Sequence, residues 1–240
     1  MDNRKISIAI PTWNRVDVLI ESFSKVISDE RIENIHIQDD ASDIEIYNKV
    51  KSIIDVLNKT HGNKITYSRN LTNVDCHRNK YHSVLGAKSE WVILLDSDNI
   101  IDTDYLDRLY EIKNWDSDTI YTPEYAKPNF DFRAYSGIIL TKQNISNHID
   151  KPLLETCLNA SNYFINKIEW VRCWNSDVNP VTSDSIFVCM NWLLAGNKIN
   201  VVSGLRYYHR VWSQSHYQTQ NHRTPTGFHE SILNTLRNLK

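Results

Sequence analysis

No apolar run in the chain approaches the roughly 18 residues that a membrane-spanning helix needs, so no integral membrane segment is expected. Charge of one sign is lacking too. Lys and Arg number 27 against 29 Asp and Glu, a formal net charge of −2, which excludes a large basic surface and with it nucleic acid as a favoured partner. The four cysteines, Cys76, Cys157, Cys173 and Cys189, are widely spaced and form no Cys-x-x-Cys pair, so neither a zinc knuckle nor a redox pair is indicated and free thiols are expected. The first residues, Met1 to Lys5, run into a strand-like segment without the apolar core of a secretion signal, and a cytoplasmic location is the expectation. Neither an internal repeat nor a low-complexity linker divides the 240 residues. One domain over 1–240 is expected, with a nucleotide-binding half at 1–100, an acceptor-side half at 101–215, and a terminal flap and helix at 216–240.

What the chain does have is regular alternation of two hydrophobic periods. Lys5 to Ile10 reads as a strand that stops at Pro11-Thr12. Val16, Leu19, Ile20, Phe23, Val26 and Ile27 then recur at helical spacing. Ile35 to Ile37 is a second strand ending at Asp39-Asp40; a helix follows through Ile46 to Leu57, then a strand at Ile65 to Tyr67. Cys76 to Leu85 forms a third helix, closed by Gly86 as a left-handed terminus, and Trp91 to Leu95 is the fourth strand. Four strand–helix alternations in the first 100 residues predict a mostly parallel, Rossmann-like α/β sheet with helices on both faces. The second half is less regular. Short strands are expected near Ile120-Tyr121, Ile138 to Leu140 and Tyr163 to Ile165, then a helix through Ile186 to Leu194, a strand at Lys198 to Val202, and a last helix from Phe228 to Leu239. Tyr207 to Thr226, polar and rich in His and aromatics, reads as a mobile flap.

The most informative segment is Asp96-Ser97-Asp98, placed where the buried run Trp91 to Leu95 ends. Two carboxylates one residue apart at a strand exit make a hard, oxygen-rich ligand set suited to Mg²⁺ or Mn²⁺ carrying a diphosphate. Asp and Ser also cluster after strands simply because they make turns. In a parallel sheet, however, ligands bind at the carboxyl ends of the strands. Pro11 to Arg15, Asp39-Asp40 and Asp96 to Asp98 all follow such ends, so one rim is expected to hold all three sets.

Ile8 to Arg15, Ile37 to Asp43, His77-Arg78-Asn79-Lys80, Leu94 to Asn99, Ser183-Asp184 and Tyr208-His209-Arg210 together resemble family 2 of the glycosyltransferases, which have the GT-A fold. The resemblance runs from Ile6 to about Ser215. It implies an enzyme that moves one sugar from a nucleotide-sugar donor, UDP-linked by expectation, to a hydroxyl of a glycan or glycoconjugate acceptor, with inversion and with Mn²⁺ or Mg²⁺ as cofactor. Carried onto these residues, it implies that Pro11, Thr12 and Trp13 line the base and ribose pocket, that Asp39 or Asp40 reads the base edge, that Asp96 contacts the ribose or assists through water, and that Ser97 belongs to the donor site. An indole face stacks on a pyrimidine and a carboxylate accepts its ring N–H. Asp98 and His209 would be metal ligands. Arg15, Arg78 and Arg210 are donor-binding candidates; Arg78, Lys80, Arg206, Arg210 and Arg223 are placed to meet a diphosphate, Arg78 as the match to the family's Arg-Asn pair, with solvated surface charge as the alternative for the others. Asp184, opening a helix, would be the catalytic base.

Two positions depart from the family's pattern. Ser183 stands where relatives often have Glu, and Asn99 replaces a frequent third carboxylate while still offering an oxygen. Trp170, Trp174, Trp192, Tyr135 and Tyr163 are candidates for aromatic platforms under an acceptor sugar. Two other classes compete with this reading: a haloacid-dehalogenase-like phosphatase, which also uses Asp-x-Asp after a hydrophobic strand, and a non-catalytic binder of nucleotide sugars or glycans. The phosphatase motif calls for Thr or Val where this chain has Ile100.

Overall fold

Seven consecutive buried residues, Ile6–Thr12, form β1, and their burial on both faces explains why the segment is almost uniformly apolar. The computed structural model describes residues 3–211 and 223–239. β1 pairs in parallel with β2 (Ile32–Asp39), so that Ile8 lies beside Ile35 and Ile10 beside Ile37. On its other side β1 pairs in parallel with β4 (Trp91–Leu94), and β3 (Ile65–Arg69) continues the parallel set beyond β2. The chain thus builds outward in one direction through β2 and β3 and then returns to the far side of β1. That reversal opens a crevice between the β1 and β4 exits.

The second half closes the sheet with mixed pairing. β8 (Phe164–Asn166) runs antiparallel between β4 and β5 (Thr119–Lys127). β9 (Lys198–Tyr208) pairs in parallel with β5, and β7 (Ile139–Leu140) caps that edge antiparallel. β6 (Phe130–Asp131) pairs with β5, off the main order β3-β2-β1-β4-β8-β5-β9-β7. Both β5 and β9 are longer than their apolar cores suggest, because alternate polar residues continue each strand. β9 therefore carries the chain up to His209.

The helices are α1 (Asp17–Phe23), α2 (Ile44–His61), α3 (Asp75–Leu85), α4 (Thr103–Tyr110), α5 (Leu154–Asn159), α6 (Lys167–Arg172), α7 (Asp184–Leu194) and α8 (Phe228–Arg237). None among the described residues is long and apolar enough to cross a membrane. α1 is shorter than its hydrophobic period: it stops at Phe23, and Val26 and Ile27 reach the core from turns.

Gly86 corrects the sequence reading. It ends α3 in right-handed geometry, and its value lies in space, since a Cβ there would stand 2.0 Å from Nε2 of the buried His36. The expected flap also changes character. Tyr207 and Tyr208 end β9, 212–222 lie outside the described residues, and Arg223 to Gly227 lead into α8 with specific partners. The expected acceptor platforms Trp170, Trp192, Tyr135 and Tyr163 are core residues, and Trp174 is half-buried, stacked on His77 at 3.8 Å between ring centroids.

Candidate active site

Three strand exits converge on the crevice, as their positions in the sequence predict. At the β2 exit, Asp39 and Asp40 are both buried but do different work. Asp39 is committed to the fold: its Oδ1 accepts from the Ser42 amide at 2.8 Å, its Oδ2 accepts from the Tyr67 hydroxyl at 3.1 Å, and Arg69 lies 3.6 Å away. Asp40 takes the Asn70 side-chain amide and the Val74 backbone N–H, both at 2.8 Å and both on Oδ1. Burial lifts the Asp40 carboxyl above its ordinary range, against the pull of those bonds. From β1, Pro11 and Thr12 are buried, and the Thr12 hydroxyl has no hydrogen-bond partner among the described residues. Trp13 is 46 % exposed on the loop that follows. Asn14 and Ala41, both at positive φ, turn the two loops, and Asn14 links them through the Ser42 hydroxyl and the Asp43 amide.

At the β4 exit the Asp-x-Asp pair divides. Asp98 forms an ion pair with Arg15 at 2.5 Å, with both side chains largely shielded from solvent. Ser97 is buried. Asp96 is fixed by Asn162, whose Oδ1 accepts the Asp96 amide at 2.9 Å and whose Nδ2 donates to Oδ2 at 3.4 Å. Burial raises the Asp96 carboxyl above its ordinary value, Asp98 and Asp184 add to this, and Lys80 and Arg15 oppose it.

Lys80, named in the sequence only as one possible diphosphate contact, has a role there that the sequence reading missed. It is 6 % exposed, and its ammonium lies 2.7 Å from Asp184 Oδ2 and 3.5 Å from Asp96 Oδ1, while donating to the hydroxyls of Ser161 at 2.7 Å and Ser185 at 3.1 Å. Burial alone would lower this ammonium, but the two carboxylates outweigh it and hold Lys80 well above its ordinary value. The signal lay in α3's period: His77 and Lys80 share one helical face, three residues apart, and both turn inward. Arg78 falls on the opposite face. It is exposed and reaches the Ser176 carbonyl at 3.5 Å, so Lys80 and not Arg78 is the basic group that meets Asp96 and Asp184.

Asp184 opens α7 and is also 6 % exposed. Besides Lys80, its carboxylate accepts from the Ser185 amide at 2.9 Å and from the Cys76 thiol at 3.5 Å. The charge of a buried carboxylate is here compensated by a buried ammonium, which is what its burial requires.

His209 follows β9, and its Nδ1 meets Asn129 Oδ1 at 3.0 Å. The amide oxygen accepts, so Nδ1 carries the proton and Nε2 is the acceptor nitrogen. Burial lowers the imidazole's pKa, with Asp98 pulling the other way. No group of three or more His, Cys, Asp or Glu suited to a metal occurs among the described residues.

Four other residues named from the sequence have partners within the chain. Asn99 does not offer its oxygen, since Oδ1 accepts the Arg210 amide at 3.1 Å. The Arg210 guanidinium pairs with Glu21 at 2.6 Å. Arg206 pairs with Asp104 and Arg223 with Asp75, so these two arginines serve the scaffold.

Against known proteins, the family model "Glycosyl transferase family 2" matches residues 7–164. Among solved structures, TarS 1-349 of S. aureus in complex with UDP-GlcNAc superposes with a TM-score of 0.70 at 17 % identity, covering 98 % of this chain and 67 % of that one. The mannosyltransferase PcManGT of Pyrobaculum calidifontis, in complex with GDP-Man and Mn²⁺, gives 0.64 at 13 % identity, covering 99 % and 70 %. No curated protein sequence matches the chain significantly.

Proposed function

The chain belongs to glycosyltransferase family 2, and from that premise we propose that it transfers a single sugar from a nucleoside-diphosphate donor to a hydroxyl of a glycan or glycoconjugate, with inversion. The observation that carries this reading is the meeting of Asp96 and Asp184 at the Lys80 ammonium, because it brings the loop after β4, which would face the donor, next to the start of α7, which would carry the base. Trp13 would stack on the base and Asp40 would accept its ring N–H, a pairing suited to uracil. Of the two carboxylates at the β2 exit, Asp40 is favoured because Asp39 spends both oxygens on the fold.

A divalent cation held by Asp98 and His209, when bound, supplies Lewis-acid assistance to the departing diphosphate. The ring orientation set by Asn129 suits His209 to that task. Arg15 would add charge-assisted contacts to the same anion. On the acceptor side, Asp184 takes the hydroxyl proton as the acceptor oxygen forms its bond to the anomeric carbon. The bond from that carbon to the diphosphate oxygen breaks on the opposite face, and the nucleoside diphosphate leaves with the electron pair. Positioning would matter more than basicity for a carboxylate so firmly paired. Residues 1–240 would act as a single catalytic domain.

The test is to incubate the protein with UDP-GlcNAc or GDP-Man, with Mn²⁺ or EDTA, and follow both thermal stability and nucleotide release. Specific binding raises the melting temperature by mass action. Stabilisation by one nucleotide that grows with metal, with release lost at least about a hundredfold in Asp184→Asn, is expected. Stabilisation without any release would favour a binding protein instead.

A further inference from the structure

The turn that delivers Asp184 is held from outside by residues that have no part in the chemistry above. Val181, three residues ahead of it, has φ +51, a conformation that a β-branched residue adopts only when its surroundings impose it. Those surroundings come from two remote places. Asn159, at the end of α5, straddles the turn: its Nδ2 donates to the Thr182 carbonyl at 3.1 Å and its Oδ1 accepts from the Ile186 amide at 3.2 Å. From the other side, Thr224 meets the Thr182 hydroxyl at 2.8 Å. Arg223 grips Asp75 through two bonds of 2.9 Å, and Asp75 also takes the Asn179 amide at 2.9 Å.

The last tie is a chain of three polar side chains. Glu155 Oε1 lies 2.6 Å from His229 Nε2, and His229 Nδ1 lies 2.8 Å from Ser183 Oγ. Glu155 is acceptor-only when ionised, so the Nε2 proton points to it, and in the neutral ring Nδ1 receives the Ser183 hydroxyl proton. Ser183 is buried and, as the residue before α7, makes no side-chain cap of its own. Its hydroxyl is spent on His229 instead.

We propose that Glu155, His229 and Ser183 are positioning residues that lock the strained turn at 181–183 and so hold the Asp184 carboxylate in its working direction. This rests on Asp184 being the base.

The experiment compares wild type with Ser183→Ala, Glu155→Gln, His229→Ala and the double variant Ser183→Ala/His229→Ala. Donor turnover is followed as nucleotide release, and donor affinity by calorimetry. Each single variant is expected to lose about tenfold or more in kcat with donor affinity within about twofold. The double variant should be no worse than His229→Ala, since members of one chain are not additive. Millimolar imidazole should restore part of the His229→Ala rate. Losses that multiply, or a normal kcat in His229→Ala, overturn the proposal.

A second readout needs no turnover and separates this proposal from the catalytic reading. The NMR signals of the His229 ring nitrogens and of the Asp184 carboxyl carbon should both move in Ser183→Ala and in Glu155→Gln. If Asp184 does not respond, the positioning role is wrong whatever the enzyme does. If it responds while wild type releases no nucleotide from either sugar donor, the device stands and the assignment of Asp184 as base fails. Should His229→Ala not fold, Glu155→Gln keeps the ring and its packing and carries the test.

Discussion

Single residues decide more here than their exposure in the sequence suggests. Lys80 reads as one of many lysines until the helix is seen from its buried face, where it neutralises Asp184 and sits against Asp96. Lys80→Met should leave a buried carboxylate unpaired, and the expected loss is about 3–5 kcal/mol in a urea titration. A loss below about 1 kcal/mol would mean that Asp184 finds another partner or takes up a proton. Gly86 is a second instance. Its right-handed geometry allows alanine, but the His36 ring, pinned by Thr66 at 2.8 Å and by Gln38 at 3.3 Å, does not. Gly86→Ala should therefore destabilise by about 1–3 kcal/mol through overpacking, read as a lowered melting temperature. A glycine required for left-handed geometry and one required for space look the same in a sequence.

At the scale of elements, what was legible and what was not follow from physical reach. β4 is apolar throughout and β1 nearly so because both faces are covered, and β2 keeps apolar residues at 32, 35 and 37, so their exits, and with them Pro11 to Arg15, Asp39-Asp40 and Asp96 to Asp98, can be located from pattern alone. β5 and β9 mix polar residues into their registers and were legible only in part. Side-chain partners across long separations were not legible at all: Lys80 with Asp184, or Glu155 with His229, depend on which face of a helix turns inward and on loops that fix no period. α3 illustrates this, since its residues 77, 79 and 80 are buried while Arg78 between them is exposed. The aromatic residues of the second half misled for a related reason. Composition marks them as sugar-stacking surfaces, whereas packing places Trp170 and Trp192 in the core.

For the molecule as a whole, the balance of buried titratable groups sets a pH dependence. His36 and His77 both have lowered pKa values, burial being the main cause in each, opposed at His77 by the Asn175 carbonyl and the Asp184 carboxylate. The unfolded chain therefore takes up protons at these two sites before the folded one does. Their contribution to stability is complete above the ordinary histidine value of about 6.5 and falls as the pH drops below it. Asp40 and Asp96, whose values are raised, act with the opposite sign nearer the carboxylate range. Unfolding free energy should accordingly decline between about pH 7 and 5.5, and replacing His36 and His77 together by Gln should flatten that decline. A slope unchanged by the double replacement would place the titration elsewhere. The wiring of the crevice has one more consequence. Every side-chain hydrogen bond and ion pair described for Asp39 and Asp40 comes from residues between 42 and 74, whereas Asp184 is tied to 76, 80 and 185. Yet the two sets meet in α3: Asn70, which donates to Asp40, also donates to Asn79 beside Lys80, so a substitution at 70 would be felt both where the base would be read and where the acceptor would be activated.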